Sequence, residues 1–152
     1  MKNCQWVVDT WVLETAENPE DDRALSAIAF LTEILENHCI AVDEEGEIVK
    51  EYHQGHIKPQ TLVALWWALI QGRGKIYRYS KSFSKGHSQY LLQRLRFDPS
   101  DIKFVAIASK TGDKFLVSED SHYTEAVQQY LRQPLGITVF SISDALLKAR
   151  DP

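Results

Sequence analysis

The apolar residues of this chain follow two patterns. Four short runs, Gln5-Trp6-Val7-Val8, His38-Cys39-Ile40-Ala41-Val42, Lys114 to Val117 and Ile137 to Phe140, are rich in β-branched and aromatic residues. Continuous runs of that length, bounded by turn residues, predict strands buried on both faces. The other pattern is helical. Leu25, Ile28, Ala29, Thr32 and Leu35, with Phe30, Leu31 and Ile34 widening the stripe, predict an amphipathic helix over residues 21 to 37. Pro59 followed by TLVALWWALIQ predicts a second long helix closed by Gly72 and Gly74. Its adjacent Trp66 and Trp67 point in different directions, so one is expected in the core and the other at an interface. Ser88 to Phe97 reads as a helix whose apolar face is Tyr90, Leu91, Leu92 and Leu95. Asp98-Pro99 starts the helix IKFVAIASK, with Asp101 as a reciprocal cap, and residues 123 to 133 and 141 to 148 supply the last helices. Asp43 to Gly46 is a turn before a short helix, Ile48 to His53, that carries Glu51. Two stretches lack a period: an acidic loop from Glu14 to Asp22, and residues 75 to 86, which read as an exposed loop.

Strand, helix, strand, a block of helices, strand, helix, strand is the order of an α/β protein with a central, mainly parallel sheet of four or five strands. Right-handed crossovers place the first and third of these strands side by side. Asp9 directly follows the first and Ser118-Glu119-Asp120 follows the third. Both acids are therefore expected at the carboxyl edge of the sheet, where open α/β sheets bind ligands.

With 152 residues, four Trp, six Tyr and six Phe, residues 1 to 152 read as one domain. No run reaches membrane-spanning length and the start lacks a signal-peptide pattern. Cys4 and Cys39 form no CxxC pair, so a reduced, cytoplasmic setting with no membrane partner is expected. His53 and His56 have a ligand-compatible spacing, but no cysteine partner follows, which disfavours zinc. The net charge of -4 argues against a polycation binding nucleic acid by bulk charge. Its distribution is uneven: Tyr52 to Phe97 holds no acid, yet Lys58, Arg73, Lys75, Arg78, Lys81, Lys85, Arg94 and Arg96 give it a formal +8.

VVDT at the end of the first strand, KEY after the second, the unit DIKFVAIASKTGDKFLVSED and the closing ITVFSI resemble the PIN-domain nucleases, which include the VapC-type toxins. The resemblance implies a PIN-like three-layer α/β/α sandwich. It implies that Asp9, Glu51, Asp101 and Asp120 are catalytic, metal-binding carboxylates for one or two Mg²⁺ or Mn²⁺ ions. Ser118 matches the family's serine or threonine position, and Thr10 is a supporting residue beside Asp9. The implied activity is endoribonucleolytic, and a cognate antitoxin protein and a homodimer are compatible partners. The interval from Glu51 to Asp101 is longer than in a compact toxin, which bears on substrate more than on chemistry.

That chemistry also has a basis in the residues. Four carboxylates gathered at one sheet edge repel one another unless neutralised, and hard oxygen donors favour Mg²⁺ or Mn²⁺. An acidic pocket repels a phosphodiester backbone, so Arg73, Lys75, Arg78, Lys81 and Lys85 are expected to guide the strand in. Tyr77, Tyr79 and Phe83 between them would stack on unpaired bases, which favours single-stranded RNA. Blander roles stand beside these. Asp101 could be only a helix cap, Glu51 a solvated helix residue, Ser118 a strand end and Thr10 a turn cap; Asp43 and Glu119 are expected to be exposed. At the level of function, the alternative is a catalytically silent PIN-like module that binds RNA or protein. A phosphotransfer receiver or phosphatase is disfavoured, because Asp9 is followed by Thr10-Trp11 and not by a DxDxT pattern.

Overall fold

Trp6, Val7 and Val8 are wholly buried, and the strand they form, β1 (Gln5–Val8), is the middle of a five-stranded sheet. The computed structural model describes residues 3–54 and 57–151. β1 pairs with β2 (Cys39–Asp43) on one side and β4 (Phe115–Val117) on the other. β3 (Ile76–Tyr79) adds to β2 and β5 (Thr138–Phe140) to β4, giving the order β3-β2-β1-β4-β5 with every pairing parallel. All carboxyl ends therefore share one edge. The expected neighbours, the strands before Asp9 and Ser118, do lie side by side, with Val8 in register with Val117.

Helices cover both faces of the sheet. The crossover from β1 to β2 carries α1 (Thr10–Glu17) and α2 (Ala24–Asn37), and α2 packs on α1, on α4 (Leu62–Gly72) and on α8 (Ile142–Arg150). The crossover from β3 to β4 runs in the opposite direction, which puts α6 (Ile102–Lys110) across β2, β1 and β4 on the other face. The result is a three-layer α/β/α sandwich. Between α2 and the sheet, the Trp6 ring meets Phe30, Phe115 and Phe140 at centroid distances of 5.0, 4.8 and 5.3 Å. Such tilted and edge-on contacts suit the aromatic quadrupole as well as burying area. α3 (Glu47–His53), α5 (Lys85–Gln89) and α7 (Glu125–Arg132) complete the helices named here. Among the described residues no helix is long and apolar enough to cross a membrane.

Several local expectations need correction. The stretch 75 to 86 is not all loop, because Ile76–Tyr79 pairs with β2 as an edge strand; two of its four residues, Tyr77 and Arg78, are exposed, so no buried run shows. The acidic stretch after Trp11 is helical as far as Glu17, since Val12, Leu13 and Ala16 make a short buried face. Helix 88 to 97 instead starts at Lys85 and ends in a wide π turn, Tyr90–Arg94. Trp66 and Trp67 are both buried, while the outward positions of α4 are Leu62, Leu65 and Leu69. His53 packs edge-on to Trp67 with centroids 6.2 Å apart, and His56 lies outside the described residues.

Asp43 is wholly buried, contrary to expectation. It ends β2 and accepts hydrogen bonds from the amides of Glu47 at 2.8 Å and Ile48 at 2.7 Å, which caps α3. Gly46, just before that helix, has φ of 87°, a left-handed conformation that costs glycine little. Glu119, also expected outside, is partly covered and accepts from the amide of Ile142 at 3.0 Å. Replacing Asp43 with Ala strands the buried amide of Ile48 and the partly buried amide of Glu47, so Asp43→Ala is expected to lower stability by roughly 2 kcal/mol. Asp43→Asn, which keeps one acceptor, should lose less, and urea denaturation of the two variants checks the order.

A candidate metal centre at the carboxyl edge of the sheet

The sheet delivers two carboxylates directly. Asp9 follows β1, continues the ladder through its amide to the Val117 carbonyl at 3.1 Å, and is 3% exposed. Its Oδ2 accepts from the Ser118 hydroxyl at 2.5 Å, and the same hydroxyl accepts from the Asp120 amide at 3.1 Å. Ser118 thus ties the ends of β1 and β4 together. Asp101 arrives from the other layer on a single 3₁₀ turn, Pro99–Asp101, whose entry is capped by Asp98 accepting from the Ser100 amide at 2.8 Å. The reciprocal cap expected of Asp101 does not form. Its carboxylate faces His122 instead, with Oδ2 2.8 Å from Nδ1.

Glu51 reaches the same pocket from α3. Its neighbour Tyr52 is buried and donates to the Val8 carbonyl at 2.5 Å, which fixes the helix against β1. Glu51 has both oxygens engaged: Oε2 accepts from the Thr10 hydroxyl, and Oε1 accepts from Lys103 Nζ at 2.8 Å. Asp9, Glu51, Asp101 and Asp120 all line one open pocket of about 240 Å³, together with Thr10, Ser100 and His122. The sequence positions of these acids span the chain, and the fold brings all four to one place.

Two further side chains there were not anticipated. His122 Nδ1 lies 2.8 Å from Asp101 and 3.3 Å from Asp120, and Nε2 lies 3.6 Å from Asp98. Its place two residues after a strand-end aspartate was the available signal. Lys103 offered less, because only the rotation of α6 turns it toward Glu51. Asp101, Asp120 and His122 can each present one ligand atom with all three within 4.8 Å of one another. Two carboxylates and an imidazole fit a divalent cation, and the nitrogen moves the preference from Mg²⁺ toward ions such as Mn²⁺. The Tyr123 hydroxyl, buried and with no hydrogen-bond partner among the described residues, lies in the field of the same acids.

The electrostatics reflect this crowding. Burial pushes the Asp9 carboxyl up to about 7; the Ser118 hydrogen bond opposes that, while the charges of Asp101, Asp120 and Glu51 add to it. Burial also raises Asp101, against the pull of its hydrogen bond with His122. His122 is raised in turn, chiefly by the hydrogen bond to Asp101 and then by the charges of the neighbouring aspartates. Burial and the same carboxylates hold the Tyr123 phenol well above its usual range.

The basic residues divide. Arg73 and Lys75 precede β3 and so lie at the amino edge, away from this pocket. They serve the end of α2 instead, Arg73 beside Glu36 at 3.3 Å and Lys75 donating to the His38 carbonyl at 3.1 Å. Lys81 follows the carboxyl end of β3, pairs with Glu47 at 2.6 Å, and lines a second pocket with Ser82, Ser100 and Lys103. Ser100 borders both pockets. Arg78 and Lys85 are exposed and make no ion pair among the described residues. Of the three aromatics, Tyr77 is exposed; Tyr79 is half-buried and bonds Gln5 at 2.5 Å, and Phe83 packs on the core. A larger cleft, about 640 Å³ between α2 and α4, is lined by Leu25, Ile28 and Leu62 as well as by acids, of which Asp21 is already paired with Arg23 at 3.0 Å. No family model matches the chain, and no curated protein is significantly similar to it.

Because Asp9 is raised from 3.8 to about 7 in the fold, its ionisation costs metal-free stability as pH rises through that window. Asn cannot ionise, so Asp9→Asn should match the wild type near pH 4 and exceed it above pH 7, by on the order of 4 kcal/mol. Urea denaturation in chelator at the two extremes measures this, and an equal difference at both would exclude Asp9 as the source.

Proposed function

We propose that the chain is a PIN-like, Mn²⁺- or Mg²⁺-dependent endoribonuclease acting on single-stranded RNA. The observation that carries this reading is the convergence of Asp9, Glu51, Asp101 and Asp120 on one pocket at the carboxyl edge of the sheet. Asp101, Asp120 and His122 are the residues suited to hold the ion, and Asp9 lines the same pocket. Bound there, a divalent cation would lower the pKa of a water and stabilise charge on a phosphoryl oxygen. The chain's own groups prepare the place. Ser118 fixes one oxygen of Asp9, and Thr10 and Lys103 fix both oxygens of Glu51. Tyr52 is buried beside Glu51 and ties α3 to β1 through the Val8 carbonyl.

RNA would enter along the border shared with the second pocket, where Lys81 and Lys103 offset the acids. Arg78 supplies a further cation and Tyr77 an exposed ring for a base. The outward leucines of α2 and α4, Leu25, Leu62, Leu65 and Leu69, support a protein partner, an antitoxin-like chain or a second copy. The alternative reading, a silent RNA- or protein-binding module, is favoured by one observation: Lys103 already pairs with Glu51, and the His122 ring already sits within hydrogen-bond distance of Asp101.

Metal dependence separates the two. A single-stranded RNA should be cut in Mn²⁺ and left whole in chelator. Asp120→Asn should slow cutting by about 100-fold or more, the loss expected when roughly 3 kcal/mol of charge stabilisation is removed, with circular dichroism unchanged. Cutting that survives the chelator or the substitution would sink the nuclease reading. In an Asp120→Asn background, adding Arg78→Ala and Lys81→Ala should weaken RNA binding and flatten the plot of log K against log salt by about 1.4, roughly 0.7 per lost contact. An unchanged slope would remove both residues from the RNA path.

A further inference from the structure

We infer that the ammonium of Lys103 stands where a second divalent ion would otherwise sit, so that the pocket works with one metal ion and one lysine. This rests on the metal-dependent reading above. The carboxylates of the pocket are not equivalent. Asp101 and Asp120 stay grouped with the His122 ring, their ligand atoms within 4.8 Å of one another. Glu51 is set apart, with one oxygen held by the Thr10 hydroxyl and the other by Lys103 at 2.8 Å.

Lys103 is also a fixed cation rather than a wandering surface one. Its side chain is 13% exposed, Nζ donates to the Ser100 carbonyl at 2.6 Å, and it lies 5.2 Å from the centre of the Phe104 ring. A divalent ion on Glu51 would meet that ammonium at close range, so the two cations exclude each other. The lysine meanwhile faces the neighbouring pocket that it shares with Lys81, Ser82 and Ser100. From there the ammonium can donate to a phosphate oxygen as negative charge develops on it, the electrostatic part of a second ion's role. No covalent bond to the ammonium forms or breaks.

The test is the stoichiometry of Mn²⁺ uptake by the full chain at neutral pH, read from the electron paramagnetic resonance signal of free Mn²⁺. Wild type should bind one ion. Lys103→Met, which keeps the stem over Phe104 but removes the charge, should bind two, and Lys103→Arg should return to one. Two ions in the wild type, or one in Lys103→Met, would overturn this inference and leave the metal reading standing. No uptake by the wild type would overturn both. If circular dichroism shows that Lys103→Met does not fold, Lys103→Gln is read in its place by the same count.

Discussion

Negative charge held at the end of a buried parallel sheet is the constraint that orders the rest of this molecule. β1 is covered on both faces and paired on both sides, so the residue after Val8 emerges into a confined space. That residue is Asp9, and Asp120 stands just beyond the end of the neighbouring strand. Neither burial nor mutual repulsion favours that arrangement, and the Asp9 carboxyl, raised to about 7, records the strain in electrostatic form. A fold selected for stability alone would place an amide or a hydroxyl there. Asp43 shows the contrast. It too is a carboxylate ending a buried strand, yet two backbone amides satisfy it.

The chain meets the repulsion with several partial answers. Ser118 gives Asp9 a short hydrogen bond, His122 sits between Asp101 and Asp120, and Lys103 closes on Glu51. Each is local, and none reaches all four acids. The residual charge is what makes the pocket attractive to a cation, because a site fully neutralised by its own side chains would have no affinity left to offer. The partition between an open Asp-Asp-His group and a closed Glu-Lys pair is therefore chemically meaningful.

Much of this was legible in the order of residues. Four of the five strands write themselves as short apolar runs and could be read that way; their parallel order then put Asp9 and Asp120 at one edge. β3 escaped because the exposed Tyr77 and Arg78 interrupt it, so Ile-Tyr-Arg-Tyr lacks the continuous apolar run that the other edge strand, β5, keeps. α1 escaped because acidic residues interrupt a face only two turns long. His122 and Lys103 were missed for a different reason. Their positions depend on how a loop turns and how α6 rotates about its axis, which neither periodicity nor strand-end position encodes. Asp101 was ambiguous in sequence because a residue three places after a helix cap is suited to both roles, and the fold resolves it by turning the carboxylate toward His122.

The acid-free segment shows how sequence clustering and spatial clustering part company. A block of +8 between Tyr52 and Phe97 suggests one cationic surface. The segment, however, runs along the whole length of an edge strand, entering β3 at the amino edge of the sheet and leaving it at the carboxyl edge. Arg73 and Lys75 are spent at the first of these on the carbonyls and glutamate that end α2, where positive charge complements the negative end of the helix dipole. Lys81 is carried to the second, and there it borders the pocket shared with Lys103, a residue outside the segment altogether. The cationic flank of the acidic pocket is thus assembled from two distant parts of the chain, as the acids themselves are. Charge counted along a sequence locates such a flank only where strand direction carries the side chains to the same edge.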